Sequence, residues 1–513
     1  MAESTSATDA GRVPPAGSAG PADGARRLER ATLTTVPAYA RPRVPLDARR
    51  TGIVHLGPGA FHRAHQAVYT EDAMAATGDP AWGICAVAPR GRAVVDRLRP
   101  QDGLFSVLRL DRDGGAGEPP VRVIGSVTEV LAAPDDPAAV AARIADPAVA
   151  VVTLTVTEKG YRRDRATGGL ALGDPLVAHD LTGAPPRTAV GLLVGGLRLR
   201  HRRGGGPLTV VSCDNLPSNG PLVRRLVTDL AARLPGAGGL PEWIEAHVAF
   251  PSTMVDRIVP ATRPRDLARI AELLGVRDEG AVAAEPFGQW VIEDRFPGGR
   301  PRWEVAGADL VDDVAPFETA KLRLLNATHS AVAYLGALAG ATTIDQALAL
   351  PGMAAFTDHL TRREMLPTLR PCPGLDLEEY RTRVLRRLAN PALGHTTRQV
   401  GADGTEKLPV RVLAPLRHHI GEGRLPHGVL LTIAAWMRYV TTAPALDDPR
   451  AQALAPARAH ADAPERVVAT LLGLGDVFDP ETAELPGLRP ALTAHLTLLT
   501  RHGVQAALRE FKD

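Results

Sequence analysis

A lysine, an asparagine and a histidine fall within one short segment, Lys321-Leu-Arg-Leu-Leu-Asn326-Ala-Thr-His329. At ~100° per residue, the turn of an α-helix, their side chains point to about 0°, 140° and 80° and share one broad face. These residue types suit the handling of an alcohol. Lys321 takes the hydroxyl proton, Asn326 donates to the oxygen as it gains charge, and His329 fixes a neighbouring hydroxyl. In the reverse direction the lysine, as an ammonium, returns the proton. An efficient amine base near neutral pH must sit below the ordinary lysine value of about 10.4, through burial or a nearby cation. Pro316 suits the first turn of the helix, and Leu322, Leu325, Ala333 and Leu335 supply apolar surface. The alternative is a core-packed helix with three polar residues at its rim.

Far upstream, Ile53-Val-His-Leu-Gly57-Pro-Gly59-Ala60-Phe61-His62 begins as a buried strand and runs into a Gly-x-Gly turn. The following Arg63 to Met74 segment reads as a helix. This is the layout of a dinucleotide site. Gly57 permits the tight turn, Gly59 lets the backbone approach a pyrophosphate, and the helix N-terminus faces the phosphates. His62 stands where the third glycine of the usual fingerprint would be. His62 and His65 are three residues apart, but no third ligand is evident, so a phosphate-loop or surface role is preferred to metal binding.

The turn Gly57-Pro-Gly-Ala-Phe-His-Arg-Ala-His-Gln66 resembles the cofactor loop of the polyol-specific long-chain dehydrogenases, which include mannitol 2-dehydrogenase, fructuronate reductase, tagaturonate reductase and D-arabinitol 4-dehydrogenase. Further blocks match in the same order: Thr155 to Tyr161, Ser212 to Gly220, Phe250 to Ile258, Gln289 to Asp294, Lys321 to Ser330, and Asp403 to Pro409. The resemblance runs from about Gly52 to the last helix. It implies a zinc-independent, NAD-dependent enzyme with a catalytic lysine, Lys321. It also implies that Asn215 and Asn326 bracket the reacting oxygen, and that Glu158 passes protons between Lys321 and solvent. Without the resemblance Asn215 is a turn residue beside Pro217 and Gly220, and Glu158 a salt-bridge partner of Lys159 or an arginine. Gly57, Gly59, Ala60, Phe61 and His62 are the expected cofactor contacts. Asp256 is expected on the nicotinamide side of the cleft, its alternative being a pair with Arg257. Arg398 and Lys407 are candidates for the distal substrate hydroxyls or, equally, solvated surface charges.

Two departures from the family pattern bear on function. Ala327-Thr328 replaces a small, Gly-containing pair. The strand Trp82 to Arg90 ends without the acidic residue that usually holds an NAD ribose, and Arg90 or Arg92 could meet a 2′-phosphate instead. NAD is the expected cofactor, with NADP left open.

The elements that must position these residues divide the chain. Its 513 residues are ample for two domains. Residues 1–45 read as a disordered tail and lead-in, 46–312 as a Rossmann-like, doubly wound dinucleotide-binding α/β domain, and 313–513 as a mostly α-helical substrate and catalytic domain. Strands are expected at Val121 to Ile124, Ala150 to Val156 and Leu208 to Ser212. Helices are expected near 343–362 (broken at Pro351), 377–389, 427–440, 463–474 and 492–508, with Gly503 weakening the last. With 59 basic and 57 acidic residues, the formal charge is +2 and supports neither nucleic-acid nor membrane-surface binding. Three widely spaced cysteines give no disulfide framework. No apolar run is long enough to span a bilayer, and the cytoplasm is the expected location. The expected partner is a small polyol or ketose, and oligomeric state is open, a monomer included.

The expected reaction interconverts a sugar alcohol and a ketose, with D-mannitol and D-fructose the first choice. A hexuronate reductase, which would need a cation for the substrate carboxylate, and a D-arabinitol dehydrogenase are the alternatives. A catalytically idle NAD-binding sensor is the alternative from another class.

Overall fold

Three buried apolar runs, Ile53 to Leu56, Val151 to Leu154 and Leu208 to Ser212, lie side by side at the centre of the molecule. A computed structural model describes residues 25–111, 119–164 and 167–511. Its strands are β1 (Thr51–Leu56), β2 (Gly83–Ala88), β3 (Phe105–Arg109), β4 (Val121–Ile124), β5 (Val127–Ala132), β6 (Val151–Leu154), β7 (Leu208–Ser212), β8 (Val248–Ala249), β9 (Thr253–Asp256), β10 (Val282–Ala284), β11 (Gln289–Glu293) and β12 (Asp309–Val311). Six form one all-parallel sheet in the order β5-β2-β1-β6-β7-β8. Such a sheet is covered on both faces, which is why its strands read as continuous apolar runs. Val54, Leu56, Val152, Leu154 and Val210 enter one core. Ile53, Ile84, Ala86, Val151 and Val211 enter the other. Each fully buried Val, Leu or Ile contributes roughly 1.5–3 kcal/mol.

The first crossover runs from β1 into helix Ala60–Ala64 and then Gln66–Thr77. The single helix expected from the sequence is broken at His65, whose φ of −126° and ψ of −89° are not helical. Two three-stranded sheets, β10-β3-β4 and β12-β11-β9, lie beside the main one.

Beyond Ala315 the described chain is helical. The expected break near Pro351 separates Ile344–Leu348 from Met353–His359. Helices Leu377–Leu388, His427–Thr442 and Pro464–Leu472 fall where periodicity places them. Leu488–Leu508 is continuous except at Gly503, where φ is 73° and ψ is 178°. Helix Thr328–Leu338 is buried almost all round, with Ala331 to Leu335 at most 1% exposed. A helix apolar on every side belongs inside a core, and here that fixes the segment carrying His329.

The expectation of disorder for residues 1–24 lies outside the described residues. From residue 25 the lead-in is packed: Leu28, Val36 and Ala40 are buried in the large core shared with the helical part, and the Leu28 amide donates to Arg277 O at 2.8 Å. Among the described residues no helix is long and apolar enough to cross a membrane.

Candidate active site

Lys321 opens a π-helical segment, Lys321–Ala327, between helix Ala315–Ala320 and helix Thr328–Leu338. The sequence predicts a plain α-helix here, and the difference matters. With i→i+5 closure each turn holds more residues, so Asn326 sits closer to the azimuth of Lys321 than the ~140° of an α-helix allows. Single π turns inside α-helices occur often at functional sites. Whether a turn widens depends on what packs against it, which no local spacing records.

The Lys321 amine is buried and held by two acceptors. Nζ donates to Asn215 Oδ1 at 2.8 Å and to Val255 O at 2.6 Å. Burial brings its pKa down to about 8; Asp256 and Glu318 oppose this, and Arg387 and Arg411 reinforce it. Asn215 follows β7 and comes from the sheet half of the chain, so the amine is gripped across the junction of the two halves. Asn215 is itself exposed, and its Oδ1 is taken up by the amine. The Nδ2 of Asn326 is buried without a partner. His329 stacks on His395 at 5.6 Å and 15° between ring planes, and its Nε2 is buried without a partner. Burial, with His395, Arg411, Lys407 and Arg387 nearby, holds His329 well below the usual histidine pKa, so it is a neutral ring.

Asp214 sets the place of Asn215. Its carboxylate accepts from the amides of Val156 at 3.0 Å and Thr157 at 2.8 Å, and from the Tyr161 hydroxyl at 2.7 Å. That ties the loop after β6 to the loop after β7.

Glu158 is not among the residues that line the Lys321 cleft. The strand ends at Leu154, Thr157 turns the chain at φ 65°, and the Glu158 side chain is 46% exposed, 3.9 Å from Arg163. Two carboxylates line the Lys321 cleft, Glu318 and Asp214, together with Asn215, Thr253 and Val255. Burial pushes Glu318 up to about 7, against the Ser218 amide hydrogen bond and Lys321. Its position three residues before Lys321 on a helix was a readable signal, since such pairs share a face.

Asp256 pairs neither with Arg257 nor with an open cleft. Arg387, from helix Leu377–Leu388, binds it in two-pronged fashion at 2.7 and 2.9 Å and reaches Glu285 at 2.7 and 2.9 Å. All three are buried. Burial alone would raise the Asp256 carboxyl, yet the guanidinium overrides it and holds the group below the ordinary range. The partners lie 131 residues apart in sequence.

Lys407 is three-quarters buried, with Nζ 3.3 Å from Val400 O and 3.9 Å from Asp403. Burial lowers it to about 8. Arg398 is exposed and is not drawn into the cleft. The two were expected to act together, and the structure brings only Lys407 near His329.

The dinucleotide turn has the shape its sequence implies. Gly57 has φ 99°, and a Cβ there would meet Thr155 O at 2.3 Å, so only glycine fits. Gly59 precedes helix Ala60–Ala64 as its N-cap, leaving Ala60 and Phe61 in the first turn. His62 is fully buried and stacks on His55 at 3.4 Å, with both ring nitrogens unpartnered. Arg92 is ion-paired with Asp135 and Asp96, whereas Arg90 is exposed at the end of β2 and reaches only Val156 O at 3.4 Å. Among the described residues one three-residue group could hold a metal, His418, His419 and Glu422, and it shares no residue with this cleft.

Comparison with known proteins agrees with this architecture. Residues 51–305 match the mannitol dehydrogenase Rossmann domain and residues 313–499 the mannitol dehydrogenase C-terminal domain. D-mannonate oxidoreductase of Escherichia coli is 42% identical over 91% of this chain and 96% of its own. Mannitol dehydrogenase 2 of Saccharomyces cerevisiae is 36% identical over 92% and 94%. The structure of Pseudomonas fluorescens mannitol 2-dehydrogenase in ternary complex with NAD and D-mannitol superposes with a TM-score of 0.83 at 34% identity, covering 94% of this chain and 99% of that one. A D-sorbitol dehydrogenase gives 0.84 at 32% identity, covering 94% and 100%. Two domain matches in tandem and full-length relatives leave one assignment: the chain belongs to the mannitol dehydrogenase family of oxidoreductases.

Proposed function

We propose that the chain interconverts a secondary alcohol and a ketone on an open-chain polyhydroxy substrate with NAD, D-mannitol and D-fructose being the first pair. The observation that carries this is the buried Lys321 amine, gripped by Asn215 and Val255, in the same π segment as the unpartnered buried amide of Asn326. A sensor that only binds a dinucleotide has no use for a desolvated base.

The turn Gly57 to His62 fits a dinucleotide, because the backbone there is kept bare of side chain by Gly57 and Gly59. NAD bound at that turn supplies the hydride acceptor. The chain's own residues do the rest. Neutral Lys321 Nζ takes the hydroxyl proton, and Asn215 Nδ2 and Asn326 Nδ2 donate to the oxygen as charge develops. Two neutral donors stabilise that charge without competing for the proton. His329, neutral, offers Nε2 to an adjacent hydroxyl. Glu318, with a pKa near that of Lys321, suits proton exchange between the amine and solvent.

A second reading has its own support. Lys407 is a largely buried cation near His329, and its carboxylate neighbour, Asp403, stands only at the edge of contact at 3.9 Å. A substrate bearing a terminal carboxylate would supply the counter-charge, and D-mannonate oxidoreductase is among the relatives. The test is a panel of hexitols, pentitols, hexonates and their keto forms with NAD(H) and NADP(H), followed by nicotinamide absorbance. Polyol turnover supports the first reading. Turnover confined to carboxylates, and lost in Lys407→Met, supports the second. NADH binding with no turnover on any member would sink both.

A further inference from the structure

Among the described residues three stretches of the helical half wind as π-helix, and two of them, Lys321–Ala327 and Pro409–Leu413, pack against each other. One side chain stitches them together. Arg411 Nη1 donates to Asn326 O at 3.1 Å and to Ser330 Oγ at 2.8 Å. Ser330 is 2% exposed, so both acceptors lie inside the fold.

We propose that Arg411 is a positioning residue for the reaction, acting through Asn326 by holding the backbone of the π segment so that the Asn326 amide meets the reacting oxygen. The proposal rests on the role given to Asn326 above and adds a residue that does not itself touch substrate.

Three features carry it. The bond lands on the main chain of Asn326 itself, so a shift of Arg411 moves the base of that side chain. The second bond lands four residues on, at Ser330, which spans the change from π to α winding. Hydrogen bonds from an ionised donor are roughly twice as strong as neutral ones. Finally, Arg411 is partly buried and makes no ion pair among the described residues, and a charge drawn from water without a counter-charge is costly. Burial lowers its pKa to about 10 even so. A guanidinium retained there at that cost is explained by a geometric task. The same charge, like that of Arg387, lowers the Lys321 pKa, which Asp256 and Glu318 raise. Removing the Arg411 charge should therefore move the Lys321 titration upward.

The test is a kinetic cycle on the full chain with the substrate that the wild type turns over. Arg411→Met should lower kcat by about 10–100-fold, the range expected when a reacting group is displaced by up to ~1 Å, with KM changed less than threefold. Its pH midpoint for oxidation should rise. Arg411→Lys, which keeps the charge and one donor, should lose less and leave the midpoint in place. In an Asn326→Ala background the Arg411→Met step should cost almost nothing, because the group it positions is gone. An equal loss in both backgrounds, or an unchanged kcat, overturns the proposal. If Arg411→Met does not fold, Arg411→Lys carries the same cycle with a smaller expected step. Failure of the functional reading shows separately, as a wild type that turns over no substrate. In that event a crystal structure of the Arg411→Lys or Arg411→Met protein, with Asn326 Nδ2 displaced or unmoved, decides the positioning role alone.

Discussion

The pKa of about 8 at Lys321 makes a prediction that separates a desolvated base from an ordinary lysine. Oxidation needs the neutral amine and reduction needs the ammonium. Oxidative kcat/KM should therefore climb with pH up to about 8 and then level, while reductive kcat/KM should be flat below about 8 and fall above it. The decisive interval is pH 8 to 10. With the pKa at about 8 the neutral fraction rises only about twofold there, from one half to nearly all. With an unshifted pKa near 10.4 it would rise roughly seventyfold across the same interval. Initial rates of nicotinamide reduction at subsaturating substrate, in buffers of constant ionic strength, measure this directly. Lys321→Ala should retain NADH binding and lose the pH-dependent limb along with about 10²–10⁴ in turnover. A wild-type rate that keeps climbing more than tenfold from pH 8 to 10 would refute the argument that burial tunes this amine. Full activity of Lys321→Ala at neutral pH would remove the residue from the mechanism.

Glu318→Gln removes a charge that raises Lys321, so the oxidative midpoint should shift to lower pH; a shift upward contradicts the placement of Glu318 beside the amine. Asn215→Ala and Asn326→Ala should each cost about 10²–10³ in kcat and less in KM, and combine non-additively, because both donors serve one oxygen. A silent Asn215→Ala would reduce that residue to a turn former. Arg387→Met strands the buried carboxylates of Asp256 and Glu285, and thermal or denaturant unfolding should register a loss of about 3–5 kcal/mol; unchanged stability would mean that the clamp between the halves is not formed in solution. Activity should survive dialysis against EDTA, and loss on chelation with recovery on Zn²⁺ would overturn the lysine-based chemistry.

The residues legible in the sequence are those whose environment is local. Gly57 could be assigned because a glycine between a buried strand and a helix leaves few roles, and its φ of 99° against Thr155 O bears that role out. Lys321, Asn326 and His329 were legible because one helix carries all three. The breaks at Pro351 and Gly503 follow from backbone chemistry confined to one residue each. Glu158 misleads for the opposite reason. A carboxylate after an apolar strand looks cleft-facing, but the Glu158 side chain, one residue past the positive φ of Thr157, is 46% exposed.

What stayed illegible is tertiary. Nothing near Asp256 announces Arg387, and nothing near Asn326 announces Arg411; each contact spans a long stretch of chain. The π winding of Lys321–Ala327 belongs to the same class. An α-helical reading of that segment needs only the spacing of its apolar residues, whereas the wider turn needs partners that reward it. Arg411 on the Asn326 carbonyl and Asn215 on the Lys321 amine are two such partners, one from the helical half and one from the sheet half. The face proposed for catalysis is thus not a property of the segment that carries it. It exists only where two packed halves impose on one helix a winding that its own sequence does not choose, and that is why mutations at Arg387 or Arg411 should reach the chemistry without touching it.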